Sequence, residues 1–125
     1  MDFNSIKFHN REPVYIQIVE YVKQAILIGD AVDGEVLPSR REMGVILNLN
    51  PNTVQKAYKL MEAEGLIVTP PNAASRLVLS KKVEKNIEQE MKDELIGTFV
   101  SAMKGTHLSL EETCDLVKEY WNGVK

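Results

Sequence analysis

Apolar and polar positions recur with helical spacing in the middle of the chain. Four apolar residues between Asn50 and Gly65 stand at i, i+3, i+4 and i+7, which is the spacing of one buried helical face. They are Val54, Ala57, Tyr58 and Met61. Asn50 supplies an N-cap, and Pro51 follows at the first helical position, where a missing N–H costs nothing. The pattern predicts a helix that ends at Gly65 and carries a polar outer face of Asn52, Gln55, Lys56 and Lys59.

A shorter helix is predicted immediately before this one. Ser39 begins the sequence S-R-R-E, so its hydroxyl and the Glu42 carboxylate can cap the helix reciprocally. Its apolar residues, with those of the bend that follows, are Met43, Val45, Ile46, Leu47 and Leu49. The connection to Asn50 is too short to let the two helices separate. The pair therefore has the form of a helix-turn-helix.

The flanking segments complete a winged domain over residues 1–80. Upstream, a long helix opens at Pro13 and runs to Ile28, where Gly29 ends it. Downstream, residues 66–69 and 76–79 read as two strands, joined by a turn at residues 70–72. Three helices followed by a two-stranded β hairpin form a winged helix-turn-helix.

The tail, residues 81–125, is predicted to form two amphipathic helices. The first spans about residues 81–103 and ends near Gly105; the second starts at a capping box on Ser109 and ends at Gly123. Two isolated amphipathic helices cannot bury both apolar stripes alone, so they must pack on a partner, most simply a second copy of the chain. The predicted dimer interface comprises Ile87, Met91, Leu95, Phe99, Leu110, Val117 and Trp121. The fold class is mainly α, with a two-helix C-terminal dimerisation tail.

Four short motifs carry a resemblance to a known family. They are P-V-Y-I-Q-I at residues 13–18, L-P-S-R-R at 37–41, N-T-V-Q-K-A-Y at 52–58 and E-G-L-I at 64–67. The run from Glu12 to Ser80 resembles the N-terminal domain of GntR-type bacterial transcription regulators, and the short tail is similar to that of the YtrA subfamily. The resemblance implies a DNA-binding transcription regulator. Together with the predicted dimer, it indicates a cytoplasmic homodimer that binds an inverted-repeat operator in double-stranded DNA, because a two-fold dimer presents two identical recognition helices. It further implies a repressor of a transporter operon, of its own gene, or of both.

The predicted DNA contacts lie mostly on the helix-turn-helix. Arg41 occupies the position of an arginine that contacts DNA in members of the family, and Gln55 can pair bidentately with adenine. Asn52 and Thr53 lie in the first turn of the recognition helix, where side chains reach base edges. The other candidates, at helix starts or toward phosphates, are Ser39, Arg40, Asn50, Lys56 and Lys59.

Two departures from the family pattern bear on the mechanism. Pro51 stands where many members have a base-contacting arginine. The wing carries Asn72 and Ala74 where relatives have G-x-G, and alanine adopts a left-handed backbone poorly. Arg76 is the candidate for a replacement minor-groove contact. The altered wing leaves open an alternative of a different class, a winged-helix module that binds protein and not DNA.

The charged residues are distributed unevenly along the chain. The net charge is −3, yet residues 1–82 hold 10 basic and 9 acidic side chains, whereas residues 83–125 hold 5 and 9. Residues 38–60 contain four basic side chains and one acidic one. The local field, not the total charge, decides the attraction of phosphate. The charge pattern therefore agrees with DNA binding by the first domain.

Catalytic, metal and cofactor chemistry finds no support in the residues. His9 and His107 are isolated, and no glycine-rich phosphate loop or nucleophile–base pair is recognisable. Cys114 lies on an apolar stripe and is interpreted as a small core residue, and one cysteine suits a reducing cytoplasm. Neither a signal peptide nor a membrane span is expected. The residues specify no small-molecule effector.

Overall fold

A computed structural model describes residues 1–123. Its helices are α1 (Val14–Leu27), α2 (Arg40–Leu47), α3 (Pro51–Ala63), α4 (Lys81–Met91), α5 (Gly97–Gly105) and α6 (Leu110–Trp121). The strands are β1 (Ile67–Val68) and β2 (Arg76–Leu77), a 3₁₀ turn covers Phe3–Ser5, and a π-helical segment spans Lys92–Ile96. The chain divides into two compact units, Met1–Ile87 and a second unit that begins at Glu88. The predicted winged helix-turn-helix is confirmed.

The starts of α2 and α3 are built by their caps. The Ser39 hydroxyl accepts a hydrogen bond of 3.0 Å from the Glu42 N–H, and the Glu42 carboxylate accepts one of 3.0 Å from the Ser39 N–H. At α3, the Asn50 side chain accepts from the Asn52 N–H at 2.8 Å. Asn48 ends α2 with a left-handed φ of 53°. Both predicted helix starts are confirmed, and the turn between them is confined to three residues, 48–50.

The apolar face of α3 forms the centre of the first unit. Its four predicted core residues, Val54, Ala57, Tyr58 and Met61, are all 0% exposed. Gly44 of α2 faces this region, where a Cβ would lie 3.4 Å from the Leu49 carbonyl oxygen and 3.8 Å from a Val54 methyl group, both within ordinary van der Waals contact. A glycine inside a helix costs about 1 kcal/mol relative to alanine.

The wing is a short antiparallel hairpin with a third strand segment beside it. Arg76 pairs with Val68 on one side and forms an isolated bridge with Val36 on the other. The strands are shorter than the predicted four-residue segments. At the tip, Asn72 takes a left-handed φ of 57°, and Ala74 is not among the positive-φ residues of the described chain. The left-handed residue at the tip is thus asparagine, which tolerates that backbone conformation better than alanine does.

The first unit extends beyond residue 80 into α4. Ile87 is 2% exposed and belongs to the core around α3, and Val83 packs against the same core. The prediction that Ile87 lies on a dimer surface is corrected, because its side chain is already covered within its own chain. The sequence pattern could not make this distinction, since Ile87 continues the stripe of apolar residues that runs on into the tail.

The second unit contains the π-helical segment, α5 and α6. A second capping box starts α6, with the Ser109 hydroxyl accepting from the Glu112 N–H at 3.0 Å and the Glu112 carboxylate from the Ser109 N–H at 3.1 Å. Cys114, expected to be a core residue, is exposed within the single chain. The predicted first tail helix is divided by Lys92–Ile96, where the wider π turn changes the helical register.

Gln17, the glutamine of the motif P-V-Y-I-Q-I at residues 13–18, has a structural role. The Gln17 amide donates to the carbonyl oxygens of His9 and Glu12, at 2.8 Å each, and accepts from the His9 N–H at 3.1 Å. The Gln17 residue is 8% exposed, so these groups are largely shielded from water. One side chain thereby fastens the segment before α1 to the helix itself.

Replacing Gln17 by leucine is expected to lower the free energy of unfolding by about 2–3 kcal/mol. Three hydrogen bonds are lost, each contributing about 0.5–1.5 kcal/mol net, and urea denaturation followed by circular dichroism measures the change. Gln24→Leu is the control, because Gln24 is exposed on the same helix. Equal stability of the two variants would contradict the assigned role of Gln17.

Candidate nucleic-acid interface

A groove of about 720 Å³ lies between α2, α3 and the turn that joins them. It is lined by Arg40, Arg41, Gly44, Val45, Asn48, Leu49, Pro51, Asn52 and Gln55. All of these residues lie in the described chain, and none of them is acidic. Its charged side chains are therefore two arginines, which suits an anionic partner.

Three predicted base contacts meet at this groove. Arg41 comes from the first turn of α2, Asn52 from the first turn of α3, and Gln55 from the next turn of α3. Arg41 and Asn52 are exposed, and Gln55 is half-buried. An arginine and two amides at one surface are the groups that pair with guanine and adenine edges in the major groove.

Arg40 is held by contacts within the chain. Its guanidinium donates to the Glu62 carboxylate at 2.6 Å and lies over the Tyr58 ring, with its central carbon 4.9 Å from the ring centroid. The Arg40 Nε atom is buried and has no hydrogen-bond partner. Arg40 nevertheless remains partly exposed and lines the groove, so its contact with DNA stays a prediction. Its guanidinium links the start of α2 to the end of α3.

Tyr58 supports the same junction from the core. Its hydroxyl donates a hydrogen bond to the Pro38 carbonyl oxygen, directly before the cap of α2. Burial raises the pKa of Tyr58, and the nearby Arg40 opposes that shift only in part. The hydroxyl consequently stays protonated and remains a donor at physiological pH. At Glu42, hydrogen bonds from the Ser39 backbone and side chain lower the pKa, which keeps the capping carboxylate ionised.

The other predicted contacts lie outside the groove. Lys56 and Lys59 are exposed on α3, and the Lys56 ammonium lies 5.8 Å from the centroid of the Tyr15 ring. Thr53 is half-buried, and Asn50 serves as the α3 cap. Arg76 is exposed in β2, in register with Val68, so it lies within the wing strand and not in the turn at the tip.

A second depression of about 300 Å³ connects the start of α2 with the wing. It is lined by Ser39, Arg40, Arg41, Tyr58, Thr69, Ala73, Ala74 and Ser75. The Thr69 and Ser75 hydroxyl groups lie 2.6 Å apart and join the two sides of the wing. Ser39 and Arg41, both predicted contacts, thus lie beside the wing as well as at the helix pair.

Sequence reasoning missed several residues of this surface. Gly44, Val45 and Asn48 line the groove from α2, and Glu62 fixes Arg40 from α3. For Val45 a signal was available, because it follows Arg41 by four residues and so shares its helical face. The Arg40–Glu62 pair had no local signal, since 22 residues separate its members.

The second unit carries an apolar surface of its own. A groove of about 480 Å³ is lined by Phe99, Met103, Leu116, Val117, Tyr120 and Trp121. Trp121 is 86% exposed in the single chain, and the predicted interface residues Leu95 and Leu110 are 61% and 81% exposed. Exposed apolar surface of this extent indicates an interaction site.

Residues 1–123 contain no group of three or more histidine, cysteine or carboxylate side chains arranged to hold a metal ion. None of the helices found there has the length and apolar character needed to cross a membrane.

The fold and the groove define a winged helix-turn-helix protein with a polar recognition surface. The family model for bacterial regulatory proteins of the gntR family matches residues 14–77, more than half of the chain. The protein belongs to the GntR family, and it is a DNA-binding transcription regulator and not an enzyme.

Individual relatives agree with this assignment. The chain is 35% identical over 121 residues to the HTH-type transcriptional repressor YtrA of Bacillus subtilis, covering 90% of this chain and 88% of that protein. It is 27% identical over 117 residues to the uncharacterized HTH-type transcriptional regulator YhcF of the same organism, covering 94% and 97%. A GntR family transcriptional regulator from Listeria monocytogenes superposes with a TM-score of 0.81 at 30% identity, covering 90% of this chain and 98% of that structure.

Proposed function

We propose that the protein is a homodimeric repressor that binds an inverted-repeat operator in the cytoplasm. The observation that carries this proposal is the convergence of Arg41, Asn52 and Gln55 on one groove without an acidic neighbour in its lining. These side chains supply base contacts, whereas Ser39, Lys56 and Lys59 supply the surrounding phosphate contacts. Repression is supported by the similarity to YtrA, which is named a repressor. From the resemblance to the YtrA subfamily, the proposed targets of repression are a transporter operon, the protein's own gene, or both.

The partner proposed for the tail is a second copy of the chain. Phe99, Val117 and Trp121, three of the predicted interface residues, line the apolar groove of the second unit. Leu95 and Leu110 add further exposed apolar area, and Met91 is half-buried. A two-fold dimer uses the same patch on both subunits, so one apolar surface is enough to form it. Dimerisation also presents two recognition helices to the DNA. Because one domain carries only a modest positive charge, its attraction to phosphate is weak, and tight binding needs two domains.

Selection of bound duplexes from a random DNA library tests the proposal directly. The full chain is expected to enrich a palindromic sequence and to bind it at least about 10³-fold more tightly than a scrambled duplex of the same composition. An Arg41→Ala, Gln55→Ala double variant serves as the matched selection control. Enrichment of no sequence by the unaltered protein would refute specific DNA recognition.

Val117→Asp is expected to convert the dimer into a monomer. A carboxylate in a desolvated apolar interface has no partner, and its burial costs several kcal/mol. Light scattering at micromolar concentration should show a mass near 14.1 kDa for the variant, against roughly twice that value for the unaltered chain.

Lys118→Asp is the control for this substitution. It introduces the same side chain at the next position of α6, outside the residues that line the groove. The control should remain dimeric at the same concentration. A monomeric unaltered protein, or two variants that dissociate alike, would overturn the assignment of the tail surface.

A further inference from the structure

An exposed valine lies in the groove between α2 and α3, among the side chains proposed to contact bases. Val45 is 78% exposed, whereas Met43 of the same helix is 0% exposed and Leu47 packs against the core. Val45 follows Arg41 by four residues, so the two side chains share one face of α2. The position of Val45 is therefore part of the recognition surface and not of the core.

The groove around Val45 combines polar groups with apolar surface. Leu49 and Pro51 also line it, and Gly44 contributes no side chain. The same lining includes the polar side chains of Arg41, Asn52 and Gln55. Among the groove residues, Val45 is the one with a large exposed hydrophobic side chain.

The chemistry of the major groove limits what Val45 can contact. Base edges there offer hydrogen-bond donors and acceptors, and a single apolar group, the C5 methyl of thymine. An isopropyl group forms no hydrogen bond, but it gains free energy when it and a methyl group leave water together. Thymine is thus the base whose edge complements Val45.

We propose that Val45 determines specificity by contacting a thymine methyl group in each half-site. Asn52 and Gln55 read adenine in the same half-site, so the bases under the helix-turn-helix are mainly A·T pairs. The proposal rests on the function proposed above and names the base chemistry of that same surface. Two alternatives compete with this proposal: Val45 could contact a deoxyribose, or it could contact an apolar patch on a protein partner.

Deoxyuridine distinguishes these occupants, because it removes only the C5 methyl group from thymidine. In the selected duplex, each symmetric pair of thymines is replaced by deoxyuridine, and the dissociation constant is measured for the full-length protein. One pair is expected to weaken binding about fourfold per methyl group, or roughly fifteenfold for the pair, from a contribution of about 0.8 kcal/mol for each buried carbon.

Val45→Ser supplies the second arm of the experiment. The substitution is at an exposed position, and circular dichroism should show an unchanged fold. The variant should bind the thymine duplex about as weakly as the unaltered protein binds the uracil duplex, and removal of the methyl groups should then have almost no effect. Val32→Ser is the matched control, since Val32 is 65% exposed and does not line the groove. This control should retain the full dependence on methyl groups.

Three results would overturn the inference while leaving the proposed function intact. Methyl dependence that persists in Val45→Ser would assign the methyl contact to another residue. Weaker binding by Val45→Ser without any methyl dependence would assign Val45 to deoxyribose. Unchanged DNA affinity of Val45→Ser would direct the search to a protein partner. Failure to select any duplex would instead remove the proposed function, and this inference with it.

Discussion

Arg41→Ala is expected to weaken operator binding by about 1–3 kcal/mol at each half-site, and Gln55→Ala by a similar amount. Both side chains line the groove between α2 and α3, and both can form bidentate hydrogen bonds with base edges. Titration of the selected operator by fluorescence anisotropy measures the loss. Each variant should also relax base preference at one position of the half-site, which competition with single-base operator variants detects.

Arg40 and Lys59 provide the controls for this prediction. Because the Arg40 guanidinium is already bound to Glu62 and stacked on Tyr58, Arg40→Ala should change operator affinity less than Arg41→Ala does. The pair is partly exposed, at 35% and 39%, so its loss should lower stability by no more than about 1 kcal/mol. Lys59→Ala should weaken binding to operator and random DNA about equally, as expected for a phosphate contact.

Unchanged operator affinity of both Arg41→Ala and Gln55→Ala, with the fold intact, would show that the recognition surface is elsewhere. In that case the alternative of a protein-binding winged-helix module would gain support. An Arg40→Ala variant that loses as much affinity as Arg41→Ala would instead show that Glu62 releases Arg40 to the DNA.

Inserting about 5 bp between the half-sites is expected to abolish dimer binding. Half-site centres should lie about one helical turn apart, or a multiple of it, so that both recognition helices reach one face of the duplex. The insertion rotates one half-site by about half a turn, whereas about 10 bp restores the face and should partly restore binding. Gel-shift titration of the selected operator and its two insertion variants measures the effect.

The Val117→Asp variant links this geometry to the tail. A monomer has no fixed distance between two recognition helices, so its weaker binding should be indifferent to either insertion. A single asymmetric footprint of the unaltered protein, insensitive to the 5 bp insertion, would contradict the inverted-repeat arrangement. Base changes in the flanking minor groove should matter less than changes under Asn52 and Gln55, because the wing tip lacks the family's glycines.

Local signals in the sequence were sufficient for the helix-turn-helix. Capping boxes, an Asn-Pro start and helical periodicity involve residues at most a few positions apart, and α2 and α3 begin where those signals place them. The buried face of α3 follows from the same periodicity, because only one side of that helix is apolar. The groove could be anticipated in part, since Arg41, Asn52 and Gln55 flank one short turn.

Features that depend on packing between distant segments could not be anticipated. The Gln17 amide could equally have faced solvent, and its three backbone partners appear only when the preceding segment folds back on α1. The structure also separates Arg40 from its neighbour Arg41 through two partners that α3 supplies, Glu62 and Tyr58. In the sequence, Ile87 belongs to the stripe of apolar residues that runs on into the tail. Its burial depends on packing against the core of the first unit, which the stripe does not reveal.

The burial of Ile87 has a consequence for how this regulator could be recombined with others. A DNA-binding domain can be moved to another protein only with its whole hydrophobic core. In this chain the core includes Val83 and Ile87 of α4. A chimera joined at residue 80 would lack both side chains, and the foreign helix would have to fill the space that they occupy in the core. A chimera joined after Met91, at the end of α4, would keep both of these core side chains and exchange only the tail segment proposed to form the dimer.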